Sequence, residues 1–436
     1  MRYKVAIGTV IAAATVAGVF AQSGQVKVVY WDFFGGGDGI RMKQIVADFN
    51  KSQSDIQIEN STLAWGEPFY TKIHTSVVAG ETPDVMTYHL SHMGAGIKGK
   101  DLRPFTNEEL AAAGIPVSKF LPSLVKAELG YAKAEGGENK LYGVPLDTHT
   151  LVMYYNKDIL KKAGLLDANG KPSGFTGIDN FTASLRTIKD KAGVQPIATS
   201  SANDPASVWR LFYTLLNQQG GALVRGNKLS TADLATRGKK AVDIMTAWTK
   251  DGLISKNSDY PSMIGLFTAG RAAFMINGNW EVPTMVDLKA KGKLFDYGVM
   301  AFPKLFDNQK TWADSHMLAI PNNSKTPMSA EKFKAVMTFI NYIETKGGVG
   351  WAGGGHIPAN QDTLKSAAYT SLQPNADYSP LASKNVVLEP TLSYFGVGGP
   401  VYDLVGNSIT PALVGQVTTD QAITKFQTGL IGFDKK

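Results

Sequence analysis

The stretch LYGVPLDTHTLVMYYNKDILKKAGL (141–165) decides how the rest of the chain is read. It opens as a short apolar run broken by Gly143 and Pro145, then crosses a polar patch of Asp147, Thr148, His149 and Thr150. Residues 151–155 are strand-like, and from Lys157 the period becomes helical, with Ile159, Leu160 and Ala163 on one face. Proline cannot donate in a central ladder and biases Val144 toward extended backbone, which marks the polar patch as a connector. A polar connector between two apolar strand signals predicts a chain passing between two lobes. Periodicity alone leaves a loop within one domain equally open.

Upstream, residues 26–30 alternate as a strand ending at Trp31 and Asp32, and the loop FFGGGDG (33–39) leads into a helix with Met42, Ile45, Val46 and Phe49 on one face. A second strand at 56–58 ends near Trp65, a helix over 68–79 turns Phe69, Ile73 and Val77 inward, and 84–88 is a third strand. This alternation predicts an α/β lobe with a largely parallel sheet. Downstream the chain is more helical. Trp209, Phe212, Tyr213 and Leu216 share a face, as do Val242, Met245 and Trp248, with Gly252 as a C-terminal stop. LFTAGRAAFMINGNW (266–280) reads as a helix end, a glycine turn, a strand and a second turn, and WAGGGHIPAN (351–360) as an irregular connector. Further helices are expected over 331–345, 402–414 and 419–430.

Residues 1–21 have the pattern of a secretory signal: basic Arg2 and Lys4, an uncharged apolar run over 5–19, and Val19-Phe20-Ala21 before the cut. The run is shorter than the ~20 residues that span a bilayer. A secreted chain beginning at Gln22 is expected. With no cysteine among 436 residues, a disulfide framework, a thiolate metal site, a cysteine nucleophile and a lipid-modified cysteine are all excluded. Removing Arg2 and Lys4 lowers the formal charge from +7 by two, to +5. The basic residues are scattered, so no nucleic-acid module is predicted. The length points to at least two domains.

The succession YGVP…YYNKDILKKAGL, FTAGRAAFMINGNW and MLAIPNNS resembles the extracellular carbohydrate-binding proteins of ABC importers, the maltose-binding-protein-like family 1 solute-binding proteins. The resemblance runs through nearly all of the mature chain. It implies an α/β, two-lobed periplasmic binding protein fold (type II-like), with hinged lobes joined by crossings placed at 147–150, 311–316 and 356–361. The lobes would be 22–147 plus 312–358 and 148–311 plus 359–436. It also implies a free periplasmic monomer that captures a mono- or oligosaccharide and delivers it to the transmembrane permease subunits, with no cofactor. A polyol or glycerol-phosphate-type ligand is the nearest alternative, and a secreted glycoside hydrolase the alternative from another class.

Sugars present apolar C–H faces that stack on indole rings, and hydroxyls that need planar donors and acceptors. Trp31, Trp65, Trp280 and Trp351 stand beside Gly, Asp, Glu or Asn at element ends, whereas Trp248 has core spacing and Trp209, near a helix start, is left open to the cleft. In the resemblance, Trp280 takes the family's Gly-x-Trp position, whose ring stacks on sugar. In the resembling proteins the first strand-to-helix loop lines the ligand cleft, which makes Trp31, Asp32, Gly36 and Gly37 candidates. That loop lacks the Lys-Ser/Thr ending of a nucleotide loop. Glu67, Asn279, Gly355 and the polar groups at strand ends and crossings (Asp147, Asp314, His89, His149, His316, His356) complete the candidate set.

His89 and His92 are three apart but lack helical continuity, and no HExxH occurs, so no metal site is expected. There is no GxSxG elbow. Asp32, Glu67, Asp84, Asp147, Glu281 and Asp314 include enough carboxylates for a glycosidase pair, but the same groups bind sugar hydroxyls, and no catalysis is expected. A cleft rich in carboxylates suits a neutral polyhydroxyl ligand. Arg210 and Arg271 lie in helical stretches and are expected to be surface or lobe-supporting residues.

Overall fold

Two sheets organise the protein, whose computed structural model describes residues 24–435. The expected signal segment, 1–21, falls outside the described residues. The first sheet runs Ile56–Thr62, Val26–Asp32, Val85–His89, His316–Ala319, Val144–Pro145. Its first three strands pair in parallel. The helices Gly37–Ser52 and Glu67–Ala79 are the crossovers between them, and bury Met42, Ile45, Val46 and Phe49 from one and Phe69 and Ile73 from the other. The strand His316–Ala319 is antiparallel to both Val85–His89 and Val144–Pro145.

The second sheet is built on Asp147–Asn156, a ten-residue strand buried along its whole length. Ala272–Gly278 pairs with it over 151–155 and Tyr297–Ala301 over 152–156. Thr311–Asp314 pairs at 149–150 and Ile357–Pro358 at 147–148. Val386–Leu388 and Gln195–Ala198 lie at the two ends of the strand order. Continuous apolar character over 151–155 fits a strand covered on both faces.

One expectation fails in an informative way. The polar patch 147–150 is the first part of this strand and not a connector. Asp is depleted in strands, but here two of the polar groups have partners in neighbouring strands: Thr150 Oγ1 donates to Trp312 O at 2.6 Å, and Asp147 accepts from the backbone N–H of His316 at 3.1 Å. The change of sheet is shorter than expected. The chain leaves the first sheet at Pro145 and enters the second at Asp147, then returns between Asp314 and His316. The result is a two-lobed α/β fold. No helix among the described residues is long and apolar enough to cross a membrane.

The start of the 141–165 stretch is held by a buried acid. Glu128, on helix Pro122–Ala134, accepts from the N–H groups of Tyr142 and Gly143 at 2.6 and 2.8 Å. Burial pushes its carboxyl from 4.5 up to about 8, against the pull of those two donors. A carboxyl that binds its proton more tightly when folded contributes stability that is complete below about pH 4.5 and is lost as pH rises toward 8. Glu128→Gln keeps an acceptor for both N–H groups and does not ionise. The variant is expected to flatten the pH dependence by at most ~1.4 kcal/mol per pH unit within that window. Urea unfolding of both proteins at pH 5 and pH 8.5 checks this, and equal slopes would refute it.

Candidate ligand cleft and hinge

The helix Pro205–Gln218 starts with Asp204 as its cap, the carboxylate accepting from Ser207 N at 3.1 Å, and with Pro205 in the first turn. This start fixes where the helix begins. Successive helical residues point about 100° apart, so Trp209 and Arg210 face different surroundings. Trp209 is fully buried, donates its indole N–H to Glu389 at 2.8 Å and stacks on Tyr213. It is a core residue, which corrects its place among the cleft candidates. Arg210, assigned above to the surface or to lobe support, is instead buried among indole rings.

The Arg210 guanidinium lies 4.8 Å from the ring centre of Trp280, 4.6 Å from that of Trp312 and 5.7 Å from that of Trp65. Trp65 comes from the first lobe and the other three residues from the second. Arg210 is 7 % exposed, and its Nε has no hydrogen-bond partner among the described residues. Such stacking on indoles is favourable to a cation, and the buried Nε–H is left without an acceptor among the described residues. Trp280 is held by its own N–H, which donates to Tyr260 Oη at 2.9 Å, while Tyr260 in turn donates to Glu281. Its ring folds back over the strand end: a Cβ at Gly278 would lie 2.0 Å from it. That contact is a physical reason for glycine in the Gly-x-Trp element. Trp65 is 44 % exposed. Trp31 is partly buried, with the Lys72 ammonium 5.7 Å from its ring centre.

The other first-lobe candidates are engaged locally. Asp32 is buried and accepts from Asn60 Nδ2 at 2.7 Å and Phe34 N at 3.1 Å, while burial raises its pKa. Glu67 is exposed and bonds Thr71 on its own helix. Gly36 is exposed, but Gly37 abuts the second lobe, where a Cβ would lie 2.7 Å from Pro283 Cβ. Nearby, Arg41 pairs with Asp287 across the lobes at 2.7 Å. The helix start therefore meets protein, not an open ligand space.

The crossings bring together a second, deeper group. Asp147 accepts from His316 Nδ1 at 2.8 Å, His149 Nδ1 at 3.2 Å and Trp351 Nε1 at 2.8 Å. Burial would raise its pKa, but the imidazoles of His316 and His356 hold it well below the usual carboxylate range. Asp314 accepts from the N–H groups of Ser91 and Ser315, and burial lifts its pKa to about 8. Burial lowers His149 to about 3 and keeps His89 well below its ordinary value, and His316 lowers both further. His89 Nδ1 is bonded to Tyr70 Oη. All six side chains are almost inaccessible. Asn279 and Gly355 act as a stitch: Asn279 Nδ2 donates to Gly355 O at 2.8 Å, its Oδ1 accepts from Thr150 N, and Gly355 at φ +91 approaches Asn279 O too closely for any Cβ. The carboxylates expected to line the cleft are thus largely spent. Asp147 and Asp314 lie in the hinge, and Glu281 is tied to Tyr260.

The profile of the family described as "Bacterial extracellular solute-binding protein" matches residues 36–349. Among curated relatives, an arabinooligosaccharide-binding protein of Bacillus subtilis is 26% identical over 300 residues, 65% of this chain and 63% of the relative. An sn-glycerol-3-phosphate-binding periplasmic protein of Pectobacterium atrosepticum is 28% identical over 194 residues, 42% and 40% of the two chains. The match therefore spans less than two thirds of either relative. The GacH receptor of Streptomyces glaucescens, solved unliganded and with acarbose, has the same fold: TM-score 0.78, 19% identity, 94% of this chain and 99% of that one.

Proposed function

This chain belongs to the bacterial extracellular solute-binding protein family, and from that premise we propose that it captures a mono- or oligosaccharide between its lobes and hands it to the permease of an ABC importer. The observation that carries the reading is the convergence of Trp65 and Trp280, from opposite lobes, on Arg210. Indole rings take the apolar faces of a sugar, and the guanidinium offers planar donors to its hydroxyls. The protein works as a periplasmic monomer that holds its ligand without reacting with it. Its two lobes are built on the two sheets, and the hinge group of Asp147, His149, His316, His356, His89 and Asp314 forms the floor of the cleft. Trp31 and Glu67 stand at its first-lobe rim.

Closure is stabilised by a ligand that touches both lobes and binds the closed state better. Small-angle scattering is expected to show a smaller radius of gyration at ligand saturation, and an unaltered profile would argue against a hinged cleft. The ligand comes from thermal-shift screening of a sugar panel, since binding to the native state raises stability by mass action. Release of free sugar from any oligosaccharide tested would overturn the non-enzymatic reading. Arg210 also favours a second reading, a phosphorylated polyol, because a guanidinium pairs with phosphate oxygens in a fork. Including glycerol phosphate in the panel decides between them: preference for it over every neutral sugar would make the second reading the correct one.

A further inference from the structure

No spacing in the sequence resembles a metal motif, yet the fold assembles imidazoles and a carboxylate from all three crossings. We propose that the hinge binds one divalent transition-metal ion of the zinc class through Asp147, His149, His316 and His356. One ligand atom from each lies within 4.8 Å of all the others. Donors around a tetrahedral zinc, bonded at about 2.0–2.1 Å, stand roughly 3.3 Å apart. Asp147 Oδ2 lies 2.8 Å from His316 Nδ1 and 3.5 Å from His356 Nδ1, and Asp147 Oδ1 lies 3.2 Å from His149 Nδ1. The spacing brackets what an ion requires. Imidazole and carboxylate without thiolate is a donor set that suits zinc.

A second observation points the same way. His356 is fully buried, and neither ring nitrogen has a hydrogen-bond partner among the described residues. Buried polar groups are normally satisfied, so an imidazole with two idle nitrogens needs an explanation. Its Nδ1 faces Asp147, and its Nε2 lies 3.7 Å from Asp38 Oδ2, on the first helix of the other sheet's lobe. An ion accounts for both nitrogens. Nδ1 ligates, and Nε2–H turns to Asp38, as outer carboxylates orient metal-bound histidines. Trp351 completes the support: its N–H bonds Asp147 Oδ2 at 2.8 Å and its ring stacks on His356, centres 4.4 Å apart at 9°. The neighbouring trio of His89, His149 and Asp314 is a poorer site, because it offers three donors against four.

Because its ligands come from every crossing, the ion pins the lobes at one angle, and its binding is coupled reciprocally to that of whatever the cleft accepts. The site stands independently of the cleft ligand's identity. The test uses the untagged full chain, stripped with a chelator, exposed to zinc chloride and desalted. Elemental analysis is expected to find one zinc per chain, with a raised melting temperature, and cobalt in its place is expected to give the visible absorption of a four-coordinate ion. His356→Ala, checked for folding by circular dichroism, is expected to retain no ion. Should that variant fail to fold, Asp38→Asn serves instead, with zinc affinity lowered about ten- to hundredfold. Wild-type protein that keeps no zinc and shows no thermal shift would overturn the proposal, as would folded His356→Ala or Asp38→Asn that binds zinc as tightly as wild type.

Discussion

Trp280→Ala is expected to weaken ligand binding by roughly 1–3 kcal/mol, the range measured for loss of one stacking ring in other systems, or about 5- to 150-fold. The ring is partly buried, anchored through its N–H to Tyr260 and set face-on to Arg210. Its removal takes away a sugar platform and one of the three rings that hold the guanidinium. The fold should persist, because the strand Ala272–Gly278 is buried along its length and the helix Val282–Ala290 buries Val282, Pro283 and Met285 of its own. Titration calorimetry with the ligand found by screening measures the loss. Unchanged affinity in a folded variant would remove Trp280 from the site.

Trp209→Ala acts on stability instead. The side chain is wholly buried among Tyr213, Phe395, Tyr402 and Phe426, so truncation leaves a large cavity at a cost of about 3–5 kcal/mol. It also removes one of the donors to Glu389, which keeps Trp312 Nε1 at 2.6 Å and Tyr402 Oη at 2.8 Å. Trp209→Phe retains most of the volume and loses mainly the N–H, for a smaller cost of about 1–2 kcal/mol. Urea unfolding of the two variants separates cavity from hydrogen bond. A Trp209→Ala protein as stable as wild type but impaired in ligand binding would return Trp209 to the cleft.

The neighbours Trp209 and Arg210 show where a sequence stops being informative. The apolar face Trp209, Phe212, Tyr213, Leu216 is legible from its period, and so is the helix. Which flank then meets the other lobe depends on how the helix docks, and one residue of rotation exchanges core for cleft. The parallel first lobe and the turn around Gly278 were legible for a similar reason, since local alternation and glycine placement carry them. The polar start of the central strand was not. Its low strand propensity is overridden by partners, Trp312 O and His316 N, that lie far along the chain. The hinge residues were legible as polar groups at the crossings, but not as a set of close-spaced donors. Motif spacing finds ligands that share an element, and here Asp147 and His149 meet His316 and His356 only after the lobes are assembled.

The order of strands in the first sheet also has a bearing on how the chain folds. Among the described residues Val144–Pro145 attaches to that sheet only through His316–Ala319, which itself aligns on Val85–His89. A bond such as that from Ser91 N to Asp314 closes a separation of 223 residues. Neither sheet can be completed by a nascent chain that has emerged only as far as its midpoint. Contacts of such long range incur their loop-closure entropy before they return any stabilisation, and high contact order makes folding slow. The polypeptide therefore stays unfinished, with strand edges unpaired, until its later half is available.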